Sequence, residues 1–438
     1  MTGRAALSRI DPDRIITGGP ELDAAAAVWN GAVTHRPALV VRCETTEDVR
    51  SAIRAARECG LPLSVRGGGH DWAGRAVRPG GLVIDLTRMR QVSVHDGVAT
   101  VAGGATSGDV AVAADRHGLT AATGTVSSVG MIGLTLGGGY GPLNGRFGLA
   151  ADNLLSAEVV LADGRVVRAD PELLWALRGG GGNFGVVTSA EIALHPVSEV
   201  LAGSFTFPWE QAGQVLHGYG ELLDRAPDAL TSMISLICTP DGSPMIVVAP
   251  TWSGSLAEGR AALGEFAGLG TPLTAAVSAK SPLDKLREFD GAFPAGDRYA
   301  IRTRNVPDLK PDVVSALIEA YAARGASAAF INIHHFHGAS TRTAIESSAF
   351  GIRREHFMVE LIELGSPDSD PLAVAWPQQA GATLAPHALP GGYPNLLGPD
   401  DQEQAAAAYG PNTARLRAVK ARVDPDGVFT ATPLPAAG

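Results

Sequence analysis

The sequence predicts an α+β fold built from more than one unit, and three observations predict it. At 438 residues the chain is too long for one ordinary core. Apolar runs with strand character and runs with helical spacing both occur along it. Its texture also changes near residue 198, where clustered glycines give way to longer helices alternating with strand runs. The expected units are residues 1–197, residues 198–390, and a C-terminal segment over 391–438 that begins with a new glycine-containing turn.

Residues 38–66 read as strand, helix, strand. Ala38–Arg42 is apolar and β-rich, Thr45 or Thr46 can cap a helix, and Val49, Ile53 and Ala56 keep helical spacing until Gly60. A second strand starts at Leu63. Short β segments follow at Leu82–Leu86, Val92–Val94 and Ala99–Ala102, then a helix over Ser107–His117. Residues 124–141 hold seven glycines in eighteen positions. Residues 157–168 carry a hairpin signal with Asp163-Gly164 as a two-residue turn. Val186–Leu194 is a strand that stops before Pro196. Beyond 198, helices are expected at Trp209–Ala226, Leu256–Gly268 and Pro311–Arg324. Strands are expected at Ile234–Cys238, Met245–Ala249, Ala328–His335 and His356–Leu364, and a closing helix runs through Tyr409–Val423.

Composition narrows the function. Hydrophobic residues make up 45% and charged residues 18%, which is globular. A net charge of -10 disfavours a nucleic-acid partner, which needs a basic face. Three cysteines, Cys43, Cys59 and Cys238, make neither a disulfide framework nor a CxxC site. The N-terminal segment lacks the apolar core of a secretion signal, and no apolar run is long enough to span a membrane. A cytoplasmic protein without a membrane partner is expected; its oligomeric state is not readable.

The stretch from Ser64 to Gly74 carries the most chemistry. Three glycines, Gly67, Gly68 and Gly69, precede His70, with Trp72 two residues further on. Successive glycine amides form a concave nest suited to an anion such as a diphosphate, and a side-chain nucleophile at its edge suits a covalently tethered cofactor. A nicotinamide-binding GxGxxG is the rival. Gly180, Gly182 and Gly185 have that spacing, but a helix precedes them and a strand follows, the reverse of the required order. In Ile331–Gly338, strand alternation puts His335 and His337 on one face and His334 on the other. Two such histidines can ligate zinc, but no third ligand lies at suitable spacing, so no metal is expected.

An ordered set of motifs then resembles one family. Arg66–His70, 124–141, Leu149–Asn153, Arg178–Thr188, Tyr393–Asn395 and Tyr409–Phe429 together are similar to the berberine-bridge-enzyme-like, FAD-linked oxidases of the vanillyl-alcohol-oxidase superfamily, from about residue 13 to 430. The resemblance implies a two-part PCMH-type FAD-binding domain made of the first and last segments. It also implies a substrate domain whose antiparallel sheet, backed by helices, lies over the flavin. His70 matches the histidine that bonds covalently to FAD. Val126 stands where many relatives carry a second, cysteine tether, so attachment through His70 alone is expected. Val129 matches the position that controls oxygen access and resembles the oxygen-reactive members. Arg66, Gly67, Gly68, Gly69, Gly130, Gly133, Gly137, Gly138, Gly139, Gly141, Asp152, Asn153 and Val187 match stretches that line the cofactor.

Tyr393 and Asn395 match a Tyr-x-Asn motif near the flavin. Asn395 is expected to bond the cofactor, and Tyr393 to assist removal of a substrate proton or simply to pack. His335 and His337, on the strand that resembles the one over the flavin, are candidates for substrate contact, and Tyr140 is another. The implied activity is an oxidase that removes hydride from a C–H next to oxygen or nitrogen of a small molecule, with O2 reoxidising the flavin to H2O2. The alternative is a flavin-dependent oxygenase or cyclase of secondary metabolism.

Overall fold

The computed structural model describes residues 6–239, 241–325, 328–367 and 375–435. The first five residues of the N-terminal segment and the last three of the chain therefore lie outside the described residues. The fold is α+β with three sheets. A small sheet has the order Ile15–Ile16, Leu39–Arg42, Leu82–Asp85, Leu63–Arg66; its last three strands are parallel. The helix Thr46–Cys59 connects two of these strands. Of the two expected caps, Thr45 is the one used, in a capping box with Asp48, and Gly60 is the left-handed C-cap at the expected end. A second, antiparallel sheet runs Val92–His95, Val98–Ala102, Val186–His195, Leu154–Val160, Val166–Arg168, with Thr120–Ala121 paired to Val186–His195.

The third sheet has seven antiparallel strands in the order Thr274–Lys280, Val200–Pro208, Pro244–Trp252, Leu230–Cys238, Ala328–Phe336, His356–Gly365, Arg298–Val306. Alternation divides its side chains between two faces. Ile234, Leu236, Ile331, Ile333, Val359 and Leu361 pack against the helices Ala212–Leu223, Pro311–Ala322 and Ala375–Leu384 in one core. The opposite face looks toward the two smaller sheets. The C-terminal helix Thr413–Val423 packs back there: Leu416 and Val419 share a core with Trp175 and Phe184, and Phe429 shares one with Ile53 and Ile84.

Several local readings need correction. The 157–168 turn is a three-residue loop, closed by the Leu161 N–H on Arg165 O at 2.9 Å, with Gly164 at φ 81° in the left-handed region that such a loop requires. Inside the glycine-rich stretch, Met131–Leu136 is a helix, because Met131, Ile132 and Leu136 all find a core to enter. The helix read over Trp209–Ala226 is a 3-10 turn, Trp209–Gln211, followed by Ala212–Leu223. No helix among the described residues is long and apolar enough to cross a membrane.

Candidate active site

A cavity of about 680 Å³ opens between the glycine-rich loops and the open face of the seven-stranded sheet. Its lining comes from sequence-distant stretches: residues 67–76, 124–140 and 182–187, the sheet, and the C-terminal residues Phe429–Thr432. The loops are held by backbone-on-backbone packing. A Cβ on Gly68 would come 2.2 Å from Gly130 N, and one on Gly130 would come 2.5 Å from Gly68 N, so neither position tolerates a side chain.

His70 stands at the edge of this nest. Its ring stacks on Trp29 with centroids 5.2 Å apart, and its Nε2 is 2.8 Å from Ser128 Oγ. Burial pushes the imidazole down to about 4, with Asp290 opposing, so it is neutral near pH 7. Asp290 also accepts from Ser127 N at 2.8 Å and Ser127 Oγ at 2.5 Å, which fixes the loop carrying Val126, Ser128 and Val129.

Across the cavity the sheet presents a polar network. Tyr140 Oη donates to Glu360 Oε1. Glu360 Oε2 is 3.0 Å from His334 Nε2 and accepts from Asn332 Nδ2 at 3.3 Å, while Ser235 Oγ donates to Asn332 Oδ1 at 2.7 Å. Burial alone would raise the Glu360 pKa, but His334 and the bonds from Tyr140 and Asn332 outweigh it and hold the carboxyl below its ordinary value. Burial, reinforced by Glu360, pushes the Tyr140 phenol well above its usual value. Tyr393 Oη accepts from Gly139 N at 2.6 Å and from Asn395 Nδ2 at 3.3 Å; burial pushes its phenol up to about 12 despite these bonds. Tyr140 and Tyr393 meet edge to face at 5.2 Å.

Of the residues singled out by sequence, Gly67, Gly68, Gly69, His70, Val129, Gly130, Gly133, Tyr140, Val187, Tyr393 and Asn395 all line the cavity, as does Val126. Others do not. Arg66 Nη1 donates to Ala25 O behind the nest. Gly137, Gly138 and Gly139 form a seat for Asn395 and Tyr393, leaving no room for a Cβ, and Gly141 packs on Thr123. Asp152 pairs with Arg353 at 2.6 Å, and Asn153 donates to Phe147 O and Leu149 O, so both serve the loop's own structure. The expectation for the histidine strand is reversed. His334 faces the large cavity, whereas His335 and His337 stack on each other at 4.2 Å on the other face, where His335 also stacks on Phe357. Sequence reasoning missed Glu360 and His334; the signal available was the strand alternation, read with the wrong face toward the site.

The residues present suit a dinucleotide such as FAD. The cavity falls in the size range of cofactor pockets, roughly 300–1,000 Å³. The nest Gly67–Gly69 offers backbone amides, and in the same wall Arg75 Nη1 is buried without a partner among the described residues, a donor in want of an anion. Val126, Val129, Ile132, Val187 and Leu396 give the cavity apolar wall.

Comparisons with known proteins agree with this geometry. Residues 37–170 match the FAD binding domain family, and residues 392–433 match the family described as berberine and berberine like. The chain is 31% identical over 440 residues to (R)-6-hydroxynicotine oxidase of Paenarthrobacter nicotinovorans, covering 93% of each chain. Among solved structures it superposes on 6-hydroxy-D-nicotine oxidase from Arthrobacter nicotinovorans with a TM-score of 0.87 at 29% identity, over 96% of this chain and 97% of that one. It matches the fold of glucooligosaccharide oxidase from Acremonium strictum at a TM-score of 0.87 and 22% identity, over 100% of both chains; that protein is described with a 6-S-cysteinyl, 8α-N1-histidyl FAD.

Proposed function

The chain belongs to the berberine-bridge-enzyme-like, FAD-linked oxidoreductases, and from that premise we propose that it is an oxidase of a small molecule, with its FAD attached through His70 alone. The observation that carries the reading is a buried carboxylate, Glu360, hydrogen-bonded to Tyr140 in the lining of the cavity that His70 also lines. FAD, when bound, supplies the acceptor for a hydride leaving a C–H next to oxygen or nitrogen, and O2 restores it with release of H2O2.

The chain's own groups do the rest. Glu360 stays ionised and takes the proton of the substrate hydroxyl or amine, directly or through the Tyr140 hydroxyl. His334 and Asn332 hold the carboxylate in place. Tyr393 remains a phenol near neutral pH, so it orients Asn395 and the Gly139 loop rather than acting as the base. For attachment, the tautomer in which His70 Nε2–H donates to Ser128 Oγ leaves Nδ1 of the neutral imidazole with the free lone pair of the nucleophile. Val126, in the cavity wall, has no sulfur with which to add a second link. Val129 lines the same wall, at the position that in the resembled family governs oxygen access.

The test is anaerobic mixing of the yellow protein with alcohols, sugars, aminated heterocycles and polyketides, followed by air. Bleaching by one class and peroxide formed in equal amount to product support the oxidase. Labelled oxygen in the product without peroxide overturns it in favour of an oxygenase.

A further inference from the structure

A smaller chamber of about 40 Å³ adjoins the large cavity, and its meaning rests on the FAD site proposed above. Thr125, Tyr140, Met233, Ala249, Phe289 and His334 are walls of both, so a group entering the chamber lies beside the Tyr140–Glu360 network. Its far side is polar and buried. Lys285 lines it at 6% exposure, with Nζ 2.5 Å from Glu288 Oε2. An ammonium carries three N–H groups, and that carboxylate oxygen accepts one of them.

A second buried group of the chamber lining, Asn144 Oδ1, has no hydrogen-bond partner among the described residues, although its residue is 3% exposed. Leaving a buried polar atom unpaired costs about 1–3 kcal/mol, so one of them in the lining that also holds a buried ammonium marks a site shaped for a polar group.

The donor and acceptor set selects among occupants. A carboxylate has no hydrogen for Asn144 Oδ1 and would meet Glu288 beside Lys285. A methyl group would leave Asn144 Oδ1 unmet. A hydroxyl meets both groups: its oxygen accepts from Lys285 and its hydrogen goes to Asn144 Oδ1. We propose that this chamber is a specificity subsite that recognises a hydroxyl on the substrate, with Lys285 as donor and Asn144 as acceptor. The substrate then carries a hydroxyl in addition to the C–H that is oxidised.

Phenol and anisole test this on the full-length, FAD-loaded protein. Both present one ring, and anisole lacks the hydroxyl hydrogen. Titration followed by the absorbance of the oxidised flavin is expected to show saturable phenol binding about tenfold tighter than anisole binding, the value of one buried hydrogen bond. Asn144→Leu is expected to remove that preference while leaving anisole binding unchanged. Lys285→Met, which leaves Glu288 its second ion pair with Lys280 at 2.9 Å, is expected to do the same. No saturable phenol signal, equal binding of the two rings, or a preference that survives both variants would overturn the subsite. A protein that carries no flavin spectrum at all would instead overturn the FAD reading.

Discussion

Glu360 remains a carboxylate in a buried wall because Tyr140, Asn332 and His334 converge on its two oxygens. Replacing it by glutamine keeps the shape and removes the charge. Glu360→Gln is expected to slow substrate-driven flavin bleaching by about 10²-fold, the low end of general-base effects, with little change in flavin content. Its pH dependence follows from the direction of the shift. The folded-state value lies below the unfolded one, so the charged form and the stability it adds are present above the ordinary carboxylate value. Both are lost as pH falls through the lowered folded value. A bleaching rate that instead fell as pH rose from acid to neutral would contradict Glu360 as base. At this scale the sequence disclosed His70, because its three glycines and Trp72 are contiguous. It did not disclose Glu360 or His334: alternation separates His334 from His335 and His337 but cannot say which face meets the cavity, and the answer lies in helices packed over Ile331 and Ile333.

Asp152 sits in the 3-10 turn Ala150–Asn153, where one oxygen caps Leu149 N at 2.9 Å and both meet Arg353, whose side chain is 1% exposed. Removing one partner of a buried pair leaves the other uncompensated. Asp152→Ala is therefore expected to cost about 3 kcal/mol in denaturant unfolding. The protein that remains folded should still hold FAD. A loss of flavin at unchanged stability would return Asp152 to the cofactor site. Among elements, capped helices were legible: Thr45 and Asp48 close one end of Thr46–Cys59 by bonds three residues apart, and Arg14 then pairs with Asp48. The strand Arg298–Val306 was not legible. Its three arginines, Arg298, Arg302 and Arg304, obscure the alternation, and only pairing with His356–Gly365 makes it a strand. Thr274–Lys280, rich in alanine and largely exposed, is likewise a strand because Val200–Pro208 offers it an edge.

The whole molecule closes its cavity with residues far apart in the chain. Asp424, fully buried in its side chain, accepts from Val428 N and Phe429 N and pairs with Lys420. This clamp sets Phe429–Thr432 into the cavity wall. A chain ending at Val423 loses that wall, and it is expected to fold its seven-stranded sheet yet purify without yellow colour, as read by absorbance near the flavin band. Retained flavin would show that the C-terminal turn is dispensable. That the first and last segments meet was implied by the resemblance, whose motifs are local, and residues of both line one cavity; the Tyr140–Glu360 contact and the side chamber were not legible, because each joins residues brought together only by the packing of sheet against loops.

The central claim is that one flavin is held by one bond, at His70, with Val126 unable to add another. Acid-precipitated protein should give a yellow pellet, and mass spectrometry of its tryptic digest should place the flavin mass on the peptide containing His70 and on no other. A colourless pellet, or flavin mass on a peptide without His70, would contradict the account.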